Sequence, residues 1–503
     1  MHSAFRVARL AAFLAMVAAP YAWAAEVTTA QAKALETQMR GWLRSMLGPD
    51  TQPAGRTVQV KPEGDHYSIE LPLGTPRATQ PSPVTLSASA QQTEDGRWMF
   101  EGPILPSPTS FTLDVPAPTR QGQKAPGPNM PVEFTITTAS GDSRGTFDPS
   151  FASPSTFSSS SRDVQIKARS AMLNQLTKIE RSETASTLRP TGAGQVDYAG
   201  DATIEGYTVL SRSQDNLPFE LSAQQIRVTS GITSLSRAQA TMMLPAVVRL
   251  AKGVLAGPPV AGGDAVMAYP SIDPQLMRTI LQSLQDLASE FTLSETLDGV
   301  AVRSENRNGA AGQVRIGMGI KSEGGLLQAY MDLGLDGLVL PDMAHGAMAE
   351  LLPRKVALRP VLTGVPTAEL IRWFGAMGDR TSSVSPPGFA TLLLRDGVST
   401  GLDSFAIDIG NTSFAGTGRL TAVSPDDVIV QAQITATNFD DVIARVNAVP
   451  ELASVLPLFV FAKGVSRTVE SRLVWNVAYR DNKLLVNGTD LSAMTGQPPG
   501  RGR

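Results

Sequence analysis

The feature that most restricts the fold is a two-residue alternation of apolar and polar side chains, recurring through the C-terminal two-thirds of the chain. In "TVESRLVWNVAYR", residues 468–480, Val469, Leu473, Trp475, Val477 and Tyr479 alternate with Thr468, Glu470, Arg472, Asn476 and Arg480. Successive side chains of a strand point to opposite faces, so the pattern predicts one strand with a dry and a wet side. Asp481-Asn482 and the "KLLVNG" that follows predict an antiparallel hairpin with one side covered.

The same alternation appears in "VDYAGDATIEGYTVLSRS", "FELSAQQIRVTSG", "FTLSETLDGVAVRSE", "GQVRIGMGIKS", "LLQAYMDLGLDGL", "FAIDIGNTSFAGTGRLTAV" and "DVIVQAQITAT". Apolar segments of helical period follow these runs at 243–256 and 274–289, at 343–352 and 367–377, and at 439–447 and 451–463. The rhythm of meander then helices returns three times at roughly 90 residues, longer than short solenoid periods. Asp273 with Pro274 opens one helix, and Asn438 or Thr437 opens another that Pro450 ends.

Nearer the N-terminus, Thr28 and Gln31 form a capping box. Leu35, Met39, Trp42, Leu43, Met46 and Leu47 then recur at helical spacing up to Gly48, which predicts an amphipathic helix docked on the body of the protein. Nearly half of the 36 prolines fall between residues 49 and 160, among short alternating runs. Proline cannot donate to a ladder, so these runs predict short strands in a small β domain. The serine-rich "SPSTFSSSSR", 153–162, reads as a loop or hinge.

The expected fold is therefore α+β and mainly antiparallel β, with long curved meander sheets covered by short amphipathic helices and a small Pro-rich N-terminal β domain. The expected segments are a signal peptide over 1–24, the amphipathic helix over 25–49 and the Pro-rich domain over 50–160. Three meander units follow over 163–289, 290–378 and 389–495, with a tail over 496–503.

Arg6 and Arg9 precede an apolar stretch from Leu10 to Ala19, and Ala22-Trp23-Ala24 offers the small residues of a signal-peptidase site. Export to the periplasm by a cleavable signal is expected, and the absence of cysteine argues against a lipoprotein. Without cysteine an exported chain has to be held together by burial rather than disulfides. Charged residues make up 18%, against about 25% in typical domains, which hints at a large buried or ligand-facing apolar surface. A net charge of -3 without a basic run argues against nucleic acid.

Signatures of chemistry are sparse. Gly397-Val398-Ser399-Thr400-Gly401 has the form of a nucleophile elbow, yet a strand-like run follows it and no histidine lies beyond His345, so a turn is the expected role. Asp342 and His345 combine two metal-ligand types at helical spacing, but two ligands do not make a site, and Asp342 is expected to cap a helix. His66 opens a strand-like run. Gly317-Met318-Gly319 lacks the third glycine of a dinucleotide loop, and no phosphate-binding loop is present. The sequons at Asn411 and Asn487 are explained by turn formation. No catalytic residue, metal or cofactor is expected.

"LLPRKVALRPVLTGVPTAELIRWF", "GNTSFAGTGRLTAV", "ITATNFDDVIARVNAV" and "YRDNKLLVNGTDL" together resemble a family of exported alphaproteobacterial proteins known as domain of unknown function 2125. The resemblance covers roughly residues 290–491. It implies an envelope protein without established activity, and the rhythm is also similar to AsmA-like β-groove proteins associated with lipid handling. The expectation is a non-enzymatic protein that holds a lipid or other apolar ligand in a β-sheet groove, with Trp373, Phe374, Leu456, Phe459, Phe461 and Trp475 as candidate lining. A structural or protein-interaction factor of the envelope is the alternative.

Overall fold

The computed structural model describes residues 27–47, 58–73, 84–102, 107–116, 129–148, 153–170, 173–192, 194–213, 218–236, 290–305, 307–341, 346–369, 372, 397–424, 427–480 and 483–492. These form two compact units, mainly of antiparallel strands. The first carries helix α1 (Thr29–Leu47) and strands β1 (Gln59–Glu63), β2 (His66–Leu73), β3 (Val84–Gln92), β4 (Trp98–Gly102), β5 (Thr109–Pro116), β6 (Asn129–Thr137), β7 (Ser140–Asp148), β8 (Ser153–Arg169), β9 (Leu173–Gly192), β10 (Gln195–Ser213) and β11 (Pro218–Ser236). The second carries β12 (Glu290–Ser304), β13 (Arg307–Glu323), β14 (Leu326–Asp336), β15 (Pro353–Pro366), β16 (Ser399–Ile409), β17 (Thr412–Ser424), β18 (Asp427–Thr437), α2 (Phe439–Asn447), α3 (Leu456–Val465), β19 (Arg467–Val469), β20 (Arg472–Arg480), β21 (Lys483–Val486) and β22 (Thr489–Asp490).

In the first unit the Pro-rich strands hydrogen-bond directly to the long ones. β4 and β5 lie end to end against β7 and β6, with Trp98 opposite Phe147 and Pro116 opposite Asn129, so one register runs through both halves. β7 and β6 in turn pair with the two ends of β8. β9, at 20 residues, spans about 65 Å at the usual strand rise, far longer than an ordinary strand. The serine-rich stretch expected as a loop is instead the first half of β8. Its hydroxyls face cross-strand partners, such as Ser161 Oγ to Ser182 Oγ at 2.6 Å and Arg144 Nε to Ser158 Oγ at 3.1 Å. Ladder partners of this kind hold a strand together without an apolar alternation.

Helix α1 covers β1–β4. Ala32, Leu35 and Met39 meet Tyr67, Ile69, Ala90, Trp98 and Phe100 in one core. Half of the expected capping box is formed: Thr28 Oγ1 accepts from the Gln31 backbone N–H at 3.2 Å, while Gln31 Oε1 takes the Thr28 hydroxyl at 3.1 Å in place of the Thr28 backbone N–H. Tyr67 ties this cap to the sheet, its hydroxyl donating to Gln31 Oε1 at 2.6 Å and accepting from the Thr28 N–H at 2.9 Å.

A column of changed backbone crosses β8–β11. Asp163 in β8 has φ 51° and Gly206 in β10 has φ 61°, with Glu180 of β9 between them. At this column the buried set shifts by one residue, from Phe157, Ser159 and Ser161 to Val164, Ile166 and Ala168 in β8. It shifts likewise in β11, from Leu221 and Ala223 to Ile226. Glycine kinks of this sort curve a sheet.

In the second unit the strands from β12 to β18 pair in sequence order, and β18 then pairs with β20. The expected single strand over 468–480 is divided: β19 and β20 form a hairpin whose turn, Glu470-Ser471, has φ 49° and 65°. Neither residue has the positive-φ preference of Gly or Asn, so local chemistry does not mark the turn. The β20–β21 hairpin is as expected. The helical segment 439–447 is α2, and 451–463 divides into a 3-10 turn at Pro450–Leu452 and α3. Asn438 precedes α2 with φ 53° and makes no side-chain cap; its Nδ2 donates to Asn411 O at 3.1 Å instead. Of 343–352, Gly346–Leu351 forms a 3-10 helix, and Thr367–Glu369 and Arg372 are helical. The segments 243–256 and 274–289 and the signal sequence lie outside the described residues.

A Cβ at Gly206 would overlap the Glu180 side chain, in a left-handed conformation that costs an L-residue about 1–2 kcal/mol. Gly206→Ala is expected to destabilise by at least that amount in urea denaturation, whereas Asp163→Gly, which meets the same backbone demand, is expected to hold or raise stability.

Candidate functional site

Directly opposed residues of antiparallel strands share a face, and in the second unit this converts separate alternations into rows. One row crosses eight strands as Leu297, Val314, Leu335, Val356, Ile407, Phe414, Ala436 and Leu473. The adjacent row is Glu295, Ile316, Leu333, Leu358, Phe405, Gly416, Ile434 and Trp475, with one charged member at its end. Phe405 lies over Gly416, where a Cβ would come within 2.6 Å of the ring. At a strand spacing of about 4.8 Å each row is about 34 Å long. The other face of β13–β15 is polar, with Arg359 3.4 Å from Asp332 and its guanidinium 4.2 Å above the Tyr330 ring.

Two helices roof one end of the apolar face. Phe439 of α2 lies 5.4 Å from Trp475 and 6.1 Å from Phe459 of α3, ring centre to ring centre. Trp475 Nε1 donates to Ala462 O at 2.7 Å, so the indole is both packed and satisfied. Within α2 Arg445 Nε donates to Asp441 Oδ2 at 2.6 Å; the helix is anchored by Arg445 pairing with Glu350 and by Asp441 Oδ2 accepting from the Asn411 N–H at 3.2 Å. The hydrogen bond from Arg445 holds the Asp441 carboxyl below its ordinary range. Asn487, with φ 51°, fastens α3 to the sheet. Its Nδ2 donates to Val465 O at 2.8 Å and Val474 O at 2.9 Å, and its Oδ1 accepts from the Asn476 N–H at 2.9 Å. The amide of this sequon is thus fully engaged within the fold.

Exposure changes across this face, which also carries Met318 and Met331 in the next row. Under the roof Ala436 and Trp475 are 1% and 7% exposed, whereas Ile316, Met318 and Met331 on β13 and β14 are 42%, 36% and 43% exposed. Met318 and Met331 stand directly opposite each other. Among the described residues, α2 and α3 cover the apolar face at β17–β21, while at β13–β14 Ile316, Met318 and Met331 are exposed and Val314, Leu333 and Leu335 half-buried.

Of the residues expected to line a groove, Leu456, Phe459 and Trp475 are brought together in the core under α3. Phe461 points outward from that helix, and Trp373 and Phe374 lie outside the described residues. Sequence reasoning missed Ile316, Met318 and Met331, although "GQVRIGMGIKS" and "LLQAYMDLGLDGL" carry their alternation. Gly397, with φ 83°, is a turn residue immediately before β16, and buried Ser399 begins that strand. His66 Nδ1 lies 3.0 Å from Asp65 Oδ1 at the start of β2. Asp342 and His345 lie outside the described residues, and among the described residues no group of three or more His, Cys, Asp or Glu side chains converges. No protein-family model matches the chain, and no curated protein or solved structure shows significant similarity to it.

Asn487→Ala removes four hydrogen bonds and leaves two carbonyls without their side-chain donor. At about 1 kcal/mol each it is expected to cost about 4 kcal/mol in chemical denaturation; an unchanged midpoint would show that α3 is held by packing alone.

Proposed function

We propose that this is a non-enzymatic protein of the periplasm, with the character of the envelope family it resembles, that holds or conveys a lipid or other apolar ligand on the sheet face of its second unit. The observation that carries this reading is the apolar face crossing eight strands, roofed by α2 and α3 at one end and exposed at Ile316, Met318 and Met331 on β13 and β14. Exposed contiguous apolar surface marks a binding site in soluble proteins, because leaving it in water costs about 25 cal/mol per Å². Size favours an acyl chain. Half of a bilayer's hydrocarbon core is about 15 Å thick, and the bare strands with their immediate neighbours span about that distance.

Methionine suits the task. Met318 and Met331 are unbranched and polarizable, so they adapt to chains of different length or unsaturation. The burial of Trp475 under α3 supplies a firm wall at the other end, and Glu295 places one carboxylate at the end of its row on β12. The basic-then-apolar opening with Ala22-Trp23-Ala24 supports the compartment.

Native mass spectrometry of protein purified from the periplasm is expected to show bound lipid. Met318→Glu combined with Met331→Glu alters only exposed positions, so the fold is expected to persist while lipid occupancy falls more than about tenfold, given roughly 1.5–3 kcal/mol for each apolar side chain lost from the contact. Wild-type protein free of lipid, or a charged variant carrying as much as wild type, would refute the reading.

A further inference from the structure

The two-residue turn between β21 and β22 holds a reactive pair in a fixed place. Val486 pairs with Thr489 across Asn487 and Gly488, whose φ values of 51° and 87° are those of a type I′ turn. Gly488 is exposed, and a Cβ built on it would meet nothing within 4 Å, so no side chain shields its nitrogen. The neighbouring Asn487 carboxamide is committed to holding the roof. Its Nδ2 donates to Val465 O at the last residue of α3 and to Val474 O of β20, while Oδ1 accepts from the backbone and the side chain of Asn476. In the same turn of α3, Ala462 O takes the Trp475 indole N–H.

We propose that Asn487-Gly488 is a deamidation site, and that its conversion is a one-way switch that loosens the roof over the apolar face. The Gly488 nitrogen gives up its proton and attacks Asn487 Cγ; the Cγ–Nδ2 bond breaks and Nδ2 leaves as ammonia with that proton. Water then opens the succinimide at either of its carbonyls, leaving aspartate or isoaspartate. One water enters and one ammonia leaves, and no other reactant is required. Ring closure gives up both Nδ2 hydrogen bonds, so the native fold resists it and the reaction runs through openings of the turn.

The product does not fit the place of the amide. A carboxylate has no donor for Val465 O or Val474 O and sets negative oxygens against both carbonyls, while isoaspartate also adds a methylene to the backbone of a turn whose length fixes the pairing of β21 with β22. The C-terminal turn of α3 loses its tie to β20, and water reaches Trp475, the last member of its apolar row. The inference rests on the reading of that face as a ligand site only for its consequence, a roof that opens as the protein ages. The modification itself depends on the turn alone.

The test incubates the full chain at alkaline pH, native and unfolded in urea, and follows residue 487 by peptide mapping and mass spectrometry, which separates it from the other Asn-Gly pair at Asn308-Gly309. Conversion is expected in the native chain at a rate roughly a hundredfold below that of the unfolded chain, because four hydrogen bonds have to open. Asn487→Asp reproduces one product. It is expected to raise amide hydrogen exchange over Ala462–Ser466 by roughly tenfold or more and to shift Trp475 fluorescence to the red, both beyond the change in Asn487→Ala, which removes the bonds and adds no charge. A native chain that does not convert, or that converts as fast as the unfolded one, overturns the proposal. So does an Asn487→Asp chain whose α3 exchanges no faster than that of Asn487→Ala. Both effects in a protein that carries no lipid would sink the groove reading and leave the modification site intact.

Discussion

Antiparallel register is the constraint on which the rest of the second unit depends. Side chains alternate along each strand, and partners directly across a ladder share a face, so a pairing slip of one residue would send Ile316 or Leu333 to the polar side. The register preserved from Glu295 to Trp475 turns eight local alternations into one apolar surface. No single strand would provide it. The hairpin turns, including the Glu470-Ser471 turn that sequence chemistry does not announce, set that register strand by strand.

Such a surface has to be covered or used. At the β17–β21 end it is covered, by Phe439, Val442 and Val446 of α2 and by Leu456 and Phe459 of α3. Polar groups hold the cover in place: Arg445 ties α2 to Glu350, Asp441 accepts from the Asn411 N–H in the β16–β17 turn, and Asn487 fixes α3 to β20. At β13–β14 the same face meets water through Ile316 and, one row further along, Met318 and Met331. The proposed ligand role follows from this difference in cover, since an apolar face roofed throughout would be an ordinary core.

Much of the fold was legible in the sequence because one signal dominates it. The alternations in "FTLSETLDGVAVRSE", "GQVRIGMGIKS" and "DVIVQAQITAT" correspond to β12, β13 and β18, and Thr28 with Gln31 caps α1 as their spacing predicts. The serine-rich half of β8 was illegible because its ladder is served by hydroxyl pairs such as Ser161 and Ser182 rather than by apolar residues. The shift of buried residues at Asp163 and Gly206 was also hidden, since it depends on backbone dihedrals that neighbouring strands impose. For the candidate site, sequence singled out the large side chains Phe459 and Trp475, which the structure buries under the roof. Ile316, Met318 and Met331 were read correctly as strand residues, but which strands lie beyond the helices is a tertiary fact with no local sign.

The most direct test uses the chain's freedom from cysteine. Single cysteines placed in turn from Thr292 to Leu297 on β12, each carrying an environment-sensitive fluorophore, can be titrated with phospholipid acyl chains. Blue shifts at positions 293, 295 and 297 with none at 292, 294 and 296 are the predicted result, and a response without that two-residue period, or one on the even positions, would contradict the account.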